Sequence, residues 1–478
     1  MIRTSFPLRH AVRNGTALVL VAAVLAGCGA VDYTPPTAEL PASFSADAPA
    51  RDATRNQQWW AAFNDAQLNQ MIQLGLARNL DVAQSIEAVN EARANARLAG
   101  AADTPVISTS ASATRGDSDG TGVVTTQTSG TAEVSWMIDL FGRNANRRAQ
   151  AGAELDSAYL SVDVARLTMM SAIANAYIDA RYYQEAMALT RQSIESRQKS
   201  LELTQAQVEY GSAPRLDLVQ AQQLVAQAQA QLPALEVGFD QSVNSLATLT
   251  NQRTAVLKGM MVRGAPQPRP RYSASVGVPA EAIRNRPDVI AAERDYAAAV
   301  YGIGVAKAAF YPSLSLSGSI TPIDVSGSGS VKTWSFGPTL SLPIFNQTNN
   351  ANLSITESRA RQQNLNWNAT VLDAIEEVEN ALAAYNRDGR NIAAQRRLVE
   401  TAQETVDLAR TSFEIGDTQF FTVLDAERTL LDARTSLAQA VRQQASNFVA
   451  LSVATAGSGL GPRAPATSEA SVQTAAAN

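Results

Sequence analysis

The sequence predicts a mainly helical fold in which very long coiled helices are prolonged by β-strands that several copies pool into one shared β-barrel. Three patterns lead there: a tandem duplication at a spacing of about 205 residues, apolar positions repeating every seven residues, and short segments of strict polar–apolar alternation.

The duplication organises everything else. Asp81 and Pro105 recur as Asp288 and Pro312, an offset of 207. Ile138-Asp-Leu-Phe141 recurs as Leu342-Pro-Ile-Phe345, an offset of 204, and Tyr210-Gly211 as Ile415-Gly416, an offset of 205. Two repeats are expected, 67–256 and 281–456, each holding a helix, two strands and two long helices. The stretch 257–280, with Pro266, Pro268, Pro270 and Pro279, reads as a linker. The tail 457–478 is small, polar and Ala-rich, the composition of a disordered segment.

The helices come from the seven-residue period. Val371, Val378, Tyr385, Ile392, Val399, Val406 and Phe413 keep it, and so do the counterparts of the last six, 205 residues earlier, Ile173 to Val208. Leu218, Val225, Leu232, Phe239 and Leu246 repeat in the same way downstream; their counterparts Val423, Leu430, Leu437 and Leu451 break it only at Gln444. Sustained heptads mean helices wound around helices. The helix from about Arg143 to Tyr210 would be roughly 100 Å long at 1.5 Å per residue. Gly211 and Gly416 stop the long helices and a new heptad helix starts within a few residues, so each repeat ends in a tight antiparallel hairpin. Pro233 lies inside one of these helices and is expected to kink it.

The strands come from the two-residue period. Leu314, Leu316 and Ile320 alternate with serines; Trp334, Phe336, Leu340, Leu342 and Ile344 alternate with Ser, Gly and Thr; Ala132, Val134, Trp136, Ile138 and Leu140 alternate with Thr131, Glu133, Ser135, Met137 and Asp139. Such a strand fits a wall between lipid and a wet lumen, and equally a half-buried strand of a soluble sandwich. If the sheet lies in a bilayer, four strands cannot pair their own edges, and several chains must pool them.

The N-terminus reads as a targeting segment. Arg3, Arg9 and Arg13 precede the apolar run Ala17–Leu25, too short to span a bilayer comfortably. Residues 1–27 are expected to be a signal peptide ending at Leu25-Ala26-Gly27-Cys28, which resembles a bacterial lipobox with Cys28 as the lipidated first residue of a segment 28–66; a chance Cys beside an ordinary cleavage site is the competing reading. Cys28 is the only cysteine, so no intramolecular disulfide is possible, and the only histidine, His10, lies in the removed segment. A mature chain without His or a second Cys loses imidazole acid–base chemistry, thiol nucleophiles and nearly all transition-metal sites. No cofactor, no metal and no enzymatic activity are expected. Taking the three leader arginines from 39 bases leaves 36 against 44 acids, a poor balance for nucleic acid.

Together the lipobox, Trp59-Trp60…Phe63, Arg286-Pro-Asp288, Tyr311-Pro312, the paired strands and Gly416…Val423-Leu-Asp-Ala426 resemble the outer-membrane efflux protein family of TolC-like channel-tunnels, in its lipidated branch serving resistance-nodulation-division pumps. The resemblance implies a homotrimer with a twelve-stranded transmembrane barrel and a periplasmic α-barrel, anchored by lipid in the outer membrane. It implies a periplasmic adaptor and an inner-membrane transporter as partners, and the passive export of drugs or other small toxic compounds. It places Asp425 in an acidic ring at the periplasmic aperture, Phe421 at an apolar constriction one turn earlier, and Asp217 as a partner on the first hairpin. The family often carries a further acid where this chain has Thr422. Gly211, Ser212, Ala213 and Pro214, with Gly416, Asp417, Thr418 and Gln419, would form the tips that meet the adaptor. Without the resemblance, Asp425 is an ordinary solvated residue pairing with Arg428 at i+3. A type I protein-secretion duct and a non-conducting coiled-coil structural lipoprotein are the rival readings.

Overall fold

The computed structural model of the chain describes residues 31–38, 40, 53–117, 122, 124–271, 283–344 and 346–455. The expected signal peptide, Cys28, the tail 457–478, and part of the linker lie outside them. A 3₁₀ helix at Ala53–Phe63 leads into α1 (Ala66–Arg78) and α2 (Leu80–Ala101). Then come β1 (Val106–Gly116), β2 (Thr125–Ile138), α3 (Arg143–Glu209), α4 (Arg215–Leu249) and α5 (Thr254–Met261). The second half holds α6 (Pro287–Ala308), β3 (Ser313–Val325), β4 (Gly329–Ser341), α7 (Gln347–Glu414) and α8 (Phe420–Thr455). Helix α5 occupies the start of the expected linker because Leu257 and Met261 bury one face. Helix α4 runs unbroken through Pro233.

The chain forms two compact units. The first contains the sheet and the helical segments that adjoin it. Its strands are antiparallel in the order β1-β2-β3-β4. The register brings Ile107 opposite Val134, Trp136 opposite Leu316, Ile320 opposite Trp334, and Gly318 opposite Phe336, so one face is a continuous apolar band. The other face is laced by hydroxyls, Ser112 to Ser129 at 2.8 Å, Ser319 to Ser335 at 2.9 Å and Thr131 to Thr321 at 3.1 Å. Strands of 11 to 14 residues suffice to cross a bilayer at a tilt. On the apolar side Trp334 is 76% exposed and Phe336 67%, far more than a water-facing sheet tolerates. Where strands give way to helices, Phe141 stacks on Tyr311 at 4.9 Å and the Trp136 indole donates to the Asp103 carbonyl at 2.8 Å. Aromatics with one apolar and one polar side collect at such a boundary.

The helices of this unit keep the order of the strands. Between α2 and α3, Arg93 donates to the Tyr159 hydroxyl at 2.7 Å, Asn144 to the Ala102 carbonyl, and Arg148 pairs with Asp103. Between α3 and α6, Ala153 packs on Ala297 and Ala298, and Gly304 admits the Asn146 side chain. Asn349 of α7 donates to the carbonyl of Ala309, just past α6, at 2.7 Å. The layer thus reads α2-α3-α6-α7 beneath β1-β2-β3-β4. A strap of residues 31–37 lies over the α3–α6 seam. The Val31 amide donates to Asn146 Oδ1 at 2.9 Å, the Tyr33 hydroxyl donates to Glu293, and the Tyr33 ring meets Tyr296 and Tyr301, each at 6.0 Å. Burial, reinforced by Glu293, pushes the Tyr33 phenol far above its ordinary range.

The second unit ties the remaining helical lengths together through buried polar clamps. Asp65 caps α1, accepting from the Gln67 and Leu68 amides, and its other oxygen accepts the Tyr177 hydroxyl at 2.8 Å. Fully buried Arg181 donates to that same hydroxyl at 3.0 Å, so the cation reaches its counter-ion through Tyr177. Phe63 meets Phe448 edge-on at 5.3 Å and fixes the start of the unit against α8. Arg286 is the second clamp: it grips Asp288 through two nitrogens, at 3.0 and 2.6 Å, reaches Glu377 at 2.7 Å, and donates to the Ala454 carbonyl at 3.2 Å. One guanidinium thereby joins the entry to α6, helix α7 and the end of α8. Its planar fork is what an ammonium lacks. Arg286→Lys is expected to lower the thermal midpoint of the detergent-solubilised protein by roughly 1–3 kcal/mol of stability. Asp288→Asn, at a carboxylate one-third exposed, should cost less; equal midpoints for Arg286→Lys and the parent would show the clamp to be dispensable.

Candidate functional site

Both hairpin ends are built alike. At the end of α3, Gly211 takes φ +71°, its amide donates to Val208, and the Ser212 amide to Gln207. At the end of α7, Gly416 takes φ +79°, its amide donates to Phe413, and the Asp417 amide to Ser412. This is the paired capping pattern of a helix stopped by a left-handed residue, and a Cβ at either position would be strained. The expected tip residues Gly211, Ser212 and Pro214, and Gly416, Asp417 and Gln419, are exposed, whereas Ala213 and Thr418 are half-buried. Pro214 sits at the N-cap of α4, and the Thr418 hydroxyl donates to that of Thr422 at 3.1 Å.

Along α8, Phe421 and Asp425 stand one turn apart on the exposed face, while Phe420, Val423, Leu424 and Ala426 turn inward. Phe421 is 62% exposed. Asp425 Oδ1 accepts from Arg428 at 2.7 Å, the plain i,i+3 pair. Asp217 lies half-buried in the first turn of α4, and among the described residues no ion pair or hydrogen bond links its side chain to the second hairpin. The single chain therefore sets Phe421 and Asp425 one turn apart on α8, while Ala221, one turn after Asp217 on α4, packs into the cluster with Phe420, Val423 and Leu424.

The sequence reading missed a buried ionic knot above the tips. Glu427 of α8 is 5% exposed, and its Oε1 accepts from Arg410 of α7 at 2.6 Å and from Ser196 and Ser200 of α3 at 3.3 and 3.2 Å. Three helices meet at one carboxylate oxygen. Nearby Arg197 donates to the Leu224 carbonyl at 2.9 Å, and burial pulls its guanidinium below the ordinary value, with Glu427 partly offsetting this. A signal was present: Glu427 stands four residues after Val423 among the buried positions of α8, and Arg410 follows the buried Ala409 at the flank of the α7 seam. Arg410→Met leaves the buried Glu427 carboxylate with only the Ser196 and Ser200 hydroxyls as donors to Oε1 and should cost about 1–3 kcal/mol. Adding Glu427→Gln should recover part of that loss; a double variant no more stable than Arg410→Met would dissolve the knot as an energetic unit.

In the first unit the face of the helical layer opposite the strap is concave. Gln150 and Glu154 of α3, Asp295 and Gly302 of α6, and Thr356 and Arg359 of α7 line a groove of about 650 Å³ there. On α6, Glu293, Ala297, Tyr301 and Gly304 meet the strap or α3, while Asp295, Ala299, Gly302 and Ala306 line the groove, about half a turn away.

A four-stranded sheet with two open edges, carried by four helices in the same order and curved to one side, is a sector of a channel wall. The protein belongs to the outer membrane efflux protein family, whose model matches residues 71–252 and 278–457. It is 39% identical to Nodulation protein T of Rhizobium leguminosarum bv. trifolii over 93% of this chain and 97% of that one. It is 31% identical to outer membrane protein OprJ of Pseudomonas aeruginosa over 87% of this chain and 90% of the other. The crystal structure of the open state of the Neisseria gonorrhoeae MtrE outer membrane channel matches with a TM-score of 0.78 at 26% identity, covering 90% of this chain and 98% of that one. The chain is an outer-membrane efflux channel of the TolC-like channel-tunnel fold.

Proposed function

We propose that three copies close into one duct, lipid-anchored in the outer membrane, that receives drugs or other small toxic compounds from an inner-membrane transporter through a periplasmic adaptor. The observation that carries this reading is the sheet with two unpaired edges. In lipid each unpaired amide and carbonyl costs several kcal/mol, and further copies relieve that by pairing β4 of one with β1 of the next. The edge helices support the same closure: α2 exposes Leu98, and α7 exposes Ile355 and Leu365. Three copies give twelve strands, in keeping with the family resemblance.

The strap supports the anchor at Cys28. Val31 is held at Asn146, eight residues past the end of β2. Val31 lies three residue steps after Cys28, at most about 10 Å of extended chain, which keeps a lipidated cysteine near the membrane boundary. The tips at 211–214 and 416–419 would meet the adaptor, and the exposed face of α8 with Phe421 and Asp425 would turn toward the axis at the periplasmic end, with Asp217 on the neighbouring hairpin.

Three Asp425 carboxylates converging on an axis attract cations and resist one another, each softened by its own Arg428. In planar bilayers, Asp425→Ala should raise single-channel conductance by about twofold and relieve block by divalent cations, since the uncovered Arg428 reverses the local charge. Conductance and block unchanged from the parent would remove Asp425 from the aperture.

A further inference from the structure

Among the described residues, two arginines of helix α3 have no ion-pair partner, and the Asp139 carboxylate at the same helix end is taken up by the Ala145 amide at 2.9 Å. Arg143 and Arg147 are exposed, and among the described residues neither makes an ion pair or a side-chain hydrogen bond. Their neighbours on the helix are fully engaged. Asn144 and Arg148 face α2 through Ala102 and Asp103, and Asn146 and Ala153 face α6 and the strap. The face that remains carries Arg143, Arg147, Gln150 and Glu154, at steps of four, three and four, and its last two members line the concave groove. Both arginines therefore continue that groove toward the sheet. Local stability does not account for them: a cation in the first turns of a helix opposes the positive end of its dipole. Nor does assembly cover them, because α3 lies between α2 and α6 and is not an edge helix.

We propose that Arg143 and Arg147 form a basic collar on the inner wall of the duct, where the helices meet the barrel, and that this collar favours passage of anionic solutes bearing carboxylate, phosphate or sulfate groups. The inference rests on the closed duct proposed above, in which the strap face is outside and the groove face lines the lumen. Two arginines from each of three copies place six guanidinium groups around one level. Guanidinium groups pair with such anions through two parallel N–H donors. Below the collar, Arg359, without an ion pair among the described residues, adds a further cation, opposed by Glu154, which accepts from Gln150 at 2.9 Å, and by Asp295. On the barrel side, Glu133 stands on the polar face of β2 opposite Ser108 and Ser319, so the charge of the wall changes sign across the junction. The potential of the collar decays over about 8 Å at physiological salt, so it acts on solutes near the wall, and its influence on ion selectivity grows as salt is lowered.

The test is the reversal potential of the reconstituted full-length protein under a tenfold KCl gradient at low ionic strength. Arg143→Gln with Arg147→Gln should raise the potassium-to-chloride permeability ratio by about twofold or more, Arg143→Lys with Arg147→Lys should leave it near the parent value, and Glu133→Gln should move it the opposite way. Inorganic pyrophosphate, used as the anionic probe, should shift or block current in the parent and lose that effect in the double Gln variant. If that variant inserts poorly, Arg147→Gln alone should show about half the shift. A conducting double or single Gln variant with the parental ratio and parental pyrophosphate response overturns the collar. A parent that inserts but conducts nothing overturns the duct itself and the collar with it.

Discussion

Everything in this molecule follows from the need to pair the backbone at the edges of a small sheet. Four strands joined as β1-β2-β3-β4 leave one side of β1 and one side of β4 without partners among the described residues. In water such edges are tolerated and blunted by charge or proline. Beside an apolar face that includes Trp334 and Phe336, they belong in lipid, where water cannot substitute for a missing hydrogen bond. In the closure proposed above the chain is a sector, and its function belongs to the ring.

The duplicated sequence explains how one ring can be continued into another kind of secondary structure. Each strand pair is flanked by a helix before it and a helix after it, so α2-β1-β2-α3 is matched by α6-β3-β4-α7. The order across the sheet and across the helices is then the same, and each helix continues the strand it is joined to. The contacts that hold adjacent helices are small and mixed: alanine on alanine at Ala153 and Ala297, asparagine against glycine at Gly304, and short polar links such as Arg93 to Tyr159. Large apolar residues are kept for the sheet face, the heptad seams and the exposed edge helices, at Leu98, Ile355 and Leu365.

Much of the fold was legible because it is periodic. The heptads marked α3, α4, α7 and α8, and the glycines at 211 and 416 marked their ends. The strands with large apolar residues were equally plain, whereas β1, with its run of Ser, Ala and Thr, gives little contrast between its faces. What escaped the sequence depends on contacts between distant segments. The strap reveals itself only through Tyr33 meeting Glu293, 260 positions away. The knot of Glu427, Arg410, Ser196 and Ser200 shows in sequence only as one charge at a buried heptad position and another flanking the seam, and nothing local says that they face each other. Asp425 is the reverse case: the family resemblance singled it out, while the isolated chain gives it Arg428 as a near neighbour, and only a closed ring would give it a further role.

The central claim, that neighbouring copies complete the barrel edge to edge, is most directly tested by disulfide trapping across the β4–β1 boundary. With Ser110→Cys fixed on β1 and single cysteines scanned along Val331 to Thr339 on β4, chains should link to one another at alternate positions around one register. The covalent ladder should stop at three chains. Absence of inter-chain links at every scanned position in membrane-inserted protein, or links only within single chains, would contradict a barrel shared between copies.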